Sequence, residues 1–141
     1  MTMESRKLAG WLLIILPTVM YGGVSLLGML LDSQSGYIDN PLRQDFFRAG
    51  HAHAGILLIL SLITLKYVDD AELSEGLKSI VKSCIPVSAI FMPAGFFFSM
   101  LMPTATEPNN FIYLTYIGAF LLASGVLILG IGLVREKKSE L

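Results

Sequence analysis

The sequence predicts an all-α integral membrane protein, a four-helix up-down-up-down bundle with both termini in the cytoplasm. Residues 1–141 are expected to form a single four-span transmembrane domain. Three observations predict it. The 141 residues are 54% hydrophobic and only 15% charged, against roughly 25% charged in an ordinary soluble domain. The charges divide the chain into four apolar runs, each close to the roughly 20 residues a helix needs to cross a hydrocarbon core. The connections between the runs are short, so successive helices should be neighbours pointing in opposite directions.

The first helix is expected over 8–31, where Leu8 to Leu31 carries no charge. It opens like a secretory signal, with Arg6 and Lys7 before an apolar run. A signal's apolar core is about 7–15 residues and precedes a small-residue cleavage site. This run is longer and no Ala-x-Ala follows it, so an uncleaved span is predicted. The second helix, 46–67, contains the uncharged stretch Ala49 to Leu65, and Phe46 and Phe47 extend it outward past a snorkelling Arg48. Asn40-Pro41 before it is a turn signal, and Asp45 is expected to cap it. The third helix, 80–102, holds Pro86 and Pro93, which lie seven residues apart and can bend it on one side. The segment 68–79 before it, with Asp69, Asp70, Glu72 and Glu75, reads as a solvated connector. The fourth helix is expected over 111–134.

Lysine and arginine near the span ends set the orientation. Arg6, Lys7, Lys66, Lys78, Lys82, Arg135, Lys137 and Lys138 all fall on one side, opposed only by Arg43 and Arg48. The basic side is therefore cytoplasmic. Trp11 and Tyr67 then belong to the inner interface, and Tyr37, Phe46, Phe47, Phe111 and Tyr113 to the outer one. The size and the bias place the protein as a multi-pass protein of a bacterial-type inner membrane. Small residues allow helix backbones to approach in lipid. Gly118, Gly125 and Gly132 form such a seam at seven-residue spacing, and Gly22, Gly23, Ser25 and Gly28 give the first helix another. Packing within the bundle is the main reading of these seams; a homodimer contact along the fourth helix, or entry into a larger membrane complex, is the alternative.

A net charge of −1 gives no general attraction to nucleic acid, and the single Cys84 leaves no internal disulfide. No Cys-x-x-Cys-His motif or zinc-type cysteine spacing is present. No nucleophile–base set or phosphate loop is legible, so no catalytic residue is assigned and the chain is not expected to be an enzyme on its own.

One chemical signal remains: Gly50, His51, Ala52, His53, Ala54 and Gly55 in the second helix. Ionisable groups within a span default to a functional reading. His51 lies about 4–5 Å below Arg48 at 1.5 Å per residue, so the pair belongs to the outer leaflet. Residues two apart on a helix point about 200° apart. The two rings therefore cannot share one ion on a regular helix; they suit two partners, one per face. The small flanking residues would leave bare helix for a flat ligand such as a porphyrin, or would serve close helix packing. Gly28, Met29, Ser99, Met100, Met102, Thr115 and Tyr116 are expected at the same level. Methionine can be a second axial ligand to haem iron, and histidine with methionine also suits copper. It is equally an ordinary core filler. Candidate metal ligands are thus His51, His53 and Met100. Arg48 is a candidate for a haem propionate, or a snorkelling charge paired with Asp45. His51, with the barer face, is expected to look into the bundle and to be the more sensitive of the two.

This His-x-His helix resembles that of the haem–copper oxidase subunit I family, and more closely the small four-span membrane proteins described as its relatives, which carry an Ala-His-Ala-His segment. In the large family the two histidines serve two haems on opposite helix faces. The resemblance covers six residues, and only His51 and His53 carry over. Further histidines for copper and a second haem are absent from the sequence, so what is implied is a haem-binding or haem-adjacent four-helix unit without an oxygen-reducing centre. Haem b is the implied cofactor, with copper as the alternative. An accessory subunit that binds nothing and, less favoured, a small transporter stand beside that expectation.

Overall fold

The computed structural model describes residues 1–135. Lys137 and Lys138, counted above on the basic side, lie outside the described residues. Four long α-helices follow one another: α1 (Met3–Leu31), α2 (Pro41–Tyr67), α3 (Glu75–Ser99) and α4 (Tyr113–Val134). There is no strand among the described residues. All four helices are long and apolar enough to cross a membrane.

Three of the helices begin earlier than the apolar runs suggest, because their caps lie among polar residues. Thr2 caps α1 by accepting from the Ser5 amide. Ser74 caps α3 from the Leu77 amide, several residues before the expected start. At α2, Asn40 is the cap: its Oδ1 accepts from Arg43 N at 3.0 Å, with Pro41 in the first turn. Asp45 is therefore not the cap; it lies inside the helix and pairs with Arg48 at 2.6 Å. At the other end, α3 stops at Ser99 rather than 102. The α3–α4 loop holds that end, since Asn109 donates its backbone N–H to Ser99 O and its side-chain amide to Phe98 O, both at 3.0 Å. Both prolines remain within a continuous α3.

The helices pack in a row: α1 on α2, α2 on α3 and α3 on α4; α1 and α4 are not a packed pair. α1 is the least buried of the four. Its seam with α2 centres on Leu12, Leu58 and Leu65. The α3–α4 contact is the closest, and glycine makes it so. A methyl group on Gly118 would lie 2.5 Å from Met92 Cγ and 2.9 Å from Met92 N; one on Gly125 would lie 2.7 Å from Ile85 Cγ1; one on Gly132 would strike Leu73. The glycine seam of α4 is thus occupied by α3 and its approach segment, the packing within the bundle that the sequence suggested first. Gly125→Leu should lower the midpoint of thermal unfolding in detergent, because a branched side chain forces the two backbones apart. An unchanged midpoint would mean that this contact does not hold α4 in place.

Polar anchors hold the helices together at both of their ends. At one end, Asp69 is drawn into a cluster. Its carboxylate accepts from Thr2 N at 2.6 Å, Ser5 Oγ at 3.3 Å and Lys82 Nζ at 2.9 Å. The Asp69 and Lys82 side chains are each only 9% exposed, and Glu4 lies 3.6 Å from Lys82. The expectation of a solvated 68–79 connector is therefore corrected: Asp69 binds α1 to α3, and Glu72 N donates to Gly132 O at the end of α4.

At the other end, Arg43 is buried. Its Nε donates to Met100 O at 3.1 Å and its Nη2 to Leu101 O at 3.2 Å, where α3 ends with unpaired carbonyls. The guanidinium also lies over Phe47, 4.7 Å from the ring centroid. It serves as a cation at a helix C-terminus, opposite the negative end of the dipole. Tyr37, fully buried beside it, has its phenol pushed above the ordinary range by burial, with Arg48 and Arg43 pulling it back.

Candidate functional site

The His-x-His segment lies within the first half of α2, where the Pro41 start makes the helix regular before the histidines are reached. The angular argument holds. Gly50, Leu57 and Ser61 form the buried face of α2, Ala52, Ile56 and Ile59 the exposed one, and the two half-buried rings lie on opposite flanks between them. His51 turns to α1 and His53 to α3.

His51 lies against the glycine pair of α1. A methyl group on Gly23 would fall 3.0 Å from His51 Nε2 and 3.2 Å from Cε1, and one on Gly22 would fall 3.6 Å from Nδ1. The Gly22-Gly23 pair is therefore a seat for this ring. No hydrogen bond joins the His51 ring to any described residue. His51 does not look into a shared interior as expected, because the helices form a row and its flank meets the outermost of them.

His53 is held differently. Its Nδ1 lies 2.7 Å from Ala49 O, one turn back along the helix, and its ring lies against Phe96 with centroids 5.1 Å apart. A carbonyl oxygen can only accept, so Nδ1 carries the proton and the lone pair of the neutral ring is on Nε2. Metal-binding histidines are commonly prepared in this way, with one nitrogen donating to a carbonyl and the other left free.

The space expected beside the pair is largely filled. A methyl group on Gly50 would lie 3.0 Å from Phe97 Cε2 and 3.2 Å from Phe96 Cβ, so this glycine admits α3, not a ligand. Gly55 faces Val19 of α1. Only Ala49 and Ala52, toward the exposed flank, leave α2 bare. Two cavities, of about 240 and 400 Å³, lie at Phe111 to Ile117 and between the loops at Gly36 to Leu42 and Pro103 to Thr106; neither is lined by a histidine. His53 thus offers one nitrogen without a hydrogen-bond partner among the described residues, while the buried faces of α2 offer no flat slot.

The other candidates go elsewhere. Met100 is fully buried in a cluster with Tyr37 and Phe47, against which Met29 also packs. Ser99 Oγ donates to Phe96 O at 3.1 Å and Thr115 Oγ1 to Met92 O at 3.3 Å. Met102 and Tyr116 are exposed. Arg48, 59% exposed, is engaged with Asp45. No group of three or more His, Cys, Asp or Glu placed to hold a metal ion occurs among the described residues. The buried charges missed in the sequence are Arg43, Asp69 and Lys82. Their one legible signal was position: Arg43 and Asp69 lie at or just beyond the ends of α2, within reach of backbone groups of α3 and α1, and Lys82 at the edge of the third apolar run.

The fold defines a class, four membrane-length apolar helices, and no finer one. No family model, curated protein or solved structure matches the chain.

Proposed function

We propose that the chain is a multi-pass protein of a bacterial-type inner membrane and binds haem b, or alternatively copper, at the His-x-His segment of α2 in the outer leaflet. The observation that carries this reading is the His53 Nδ1 to Ala49 O hydrogen bond, which leaves Nε2 as a free donor on a half-buried ring. The alternation of spans is supported by the order of contacts, Gly23 with His51 and Gly55 with Val19, then Gly95 with Thr115 and Gly118 with Met92. Each pair rises in one helix as it falls in the next. The visible spectrum of protein purified in detergent, with metal analysis of the same sample, tests the binding. A Soret band with reducible α and β bands, or stoichiometric copper, is expected.

A second reading is an accessory or structural subunit without a ligand. The observation favouring it is the filling of the glycine spaces by His51, Phe96 and Phe97. A spectrum and metal content both blank would establish that reading instead.

Orientation follows from the lysine and arginine bias. Single cysteines at positions 36 and 109 should react with an impermeant thiol reagent in intact cells, and one at position 3 should not. The reverse pattern would invert the assignment.

A further inference from the structure

We infer that the seam between α1 and α2 binds an anionic phospholipid, its phosphate held between Arg6 and Lys66 and an acyl chain laid along the apolar flank beside them. The site is separate from the histidine pair and needs only that α1 and α2 cross the bilayer. Charge comes first. Lys82 is neutralised by Asp69 and Glu4, and Lys78 by Glu75. Arg6, Lys7 and Lys66 are exposed, and none of them is ion-paired with a described carboxylate. Position comes second. Arg6 follows Ser5 and Lys66 follows Leu65, and both Ser5 and Leu65 are fully buried where α1 meets the end of α2. One residue turns a helix by about 100°. α1 and α2 run in opposite directions, with Ser5 at Asp69 and Gly23 at His51. The step past the facing residue therefore carries Arg6 and Lys66 to the same side of the seam, at similar depth. Lys7, about 200° round from Ser5, points away from it. The Lys66 ammonium lies 5.6 Å from the Tyr67 ring centroid, beside an aromatic suited to headgroup level. The flank comes third. Leu13 and Met20 continue the Arg6 side of α1 at seven-residue steps, Ile59 and Ile63 the Lys66 side of α2, and all four are exposed. Two cations above an apolar strip match a phosphate with a hydrocarbon chain beneath it.

The test uses the full chain purified in detergent, with phosphatidylglycerol or phosphatidylcholine added in turn. The readouts are the unfolding midpoint and the lipid retained on the protein by native mass spectrometry. Phosphatidylglycerol should raise the midpoint and stay bound; phosphatidylcholine, whose own ammonium offsets its phosphate, should do neither. A cation near an anionic lipid surface is worth about fivefold in affinity. Arg6→Gln and Lys66→Gln should each weaken phosphatidylglycerol binding by about that factor, and together by about twentyfold or more. Lys7→Gln, an equal loss of charge on the far side of α1, should bind as wild type does. All three positions are exposed, so the lipid-free midpoints should stay together. Inorganic phosphate at matched concentration should neither raise the midpoint nor displace the lipid. Equal losses in Lys7→Gln and Arg6→Gln would replace the site with a diffuse basic end and overturn it. Equal effects of the two lipids would refute recognition of the anionic headgroup. A midpoint raised as far by inorganic phosphate would make a free anion the ligand and refute the lipid.

Discussion

Asp69→Ala is expected to destabilise the protein by about 3–5 kcal/mol, the cost of leaving a buried charge without its partner. The substitution strands the Lys82 ammonium, which has only the more distant Glu4 carboxylate at 3.6 Å, and removes the acceptor for Thr2 N and Ser5 Oγ. Equilibrium unfolding in mixed micelles measures it. The double variant Asp69→Leu with Lys82→Met should recover a good part of the loss, because a buried ion pair costs nearly as much desolvation as it returns. A loss below about 1 kcal/mol for Asp69→Ala would place the pair in the class of solvated surface bridges.

Gly95→Ala should be the most damaging single methyl group in the chain. The added carbon would strike Thr115 Oγ1 and lie 2.5 Å from Thr115 N and 3.1 Å from its Cα. A hydroxyl can rotate away, but a backbone nitrogen cannot. Overpacking of this kind costs about 1–3 kcal/mol where side chains can adjust, and more where they cannot. Gly10→Ala, with nothing within 4 Å of the new carbon, is the matched control. In a helix interior it should be neutral or stabilising by about 0.5–1 kcal/mol. Equal unfolding midpoints for the two variants would refute the close approach of α3 and α4.

The four helices were legible because their signal, uncharged length, is the property a bilayer selects. Their starts were not, since Asn40 and Ser74 act through single side-chain hydrogen bonds that carry no hydropathy. A search that treats charge as a boundary also cannot see charge folded inward. Asp69 sits among acidic neighbours and Lys82 at the edge of an apolar run, and nothing in their spacing says that Thr2 and Ser5 come to meet them. Arg43 was counted only as a topological charge, although it closes the end of α3. The histidine pair was legible as two opposed rings, because helix geometry alone fixes that. Which ring keeps a free nitrogen was not, since it turns on Ala49 O on one flank and on Gly22 and Gly23 on the other.

The row arrangement bears on the order of assembly. α1 comes first among the four helices in the chain, and its partners are His51, Leu58 and Leu65 of α2, Asp69 beyond it and Lys82 in α3. The tight glycine contacts lie at the far end of the chain, between α3 and α4. The α1–α2 seam can therefore close as soon as α2 has been made, while the ion-pair anchor to Lys82 waits for α3 and the glycine contact of α3 with α4 completes the row last.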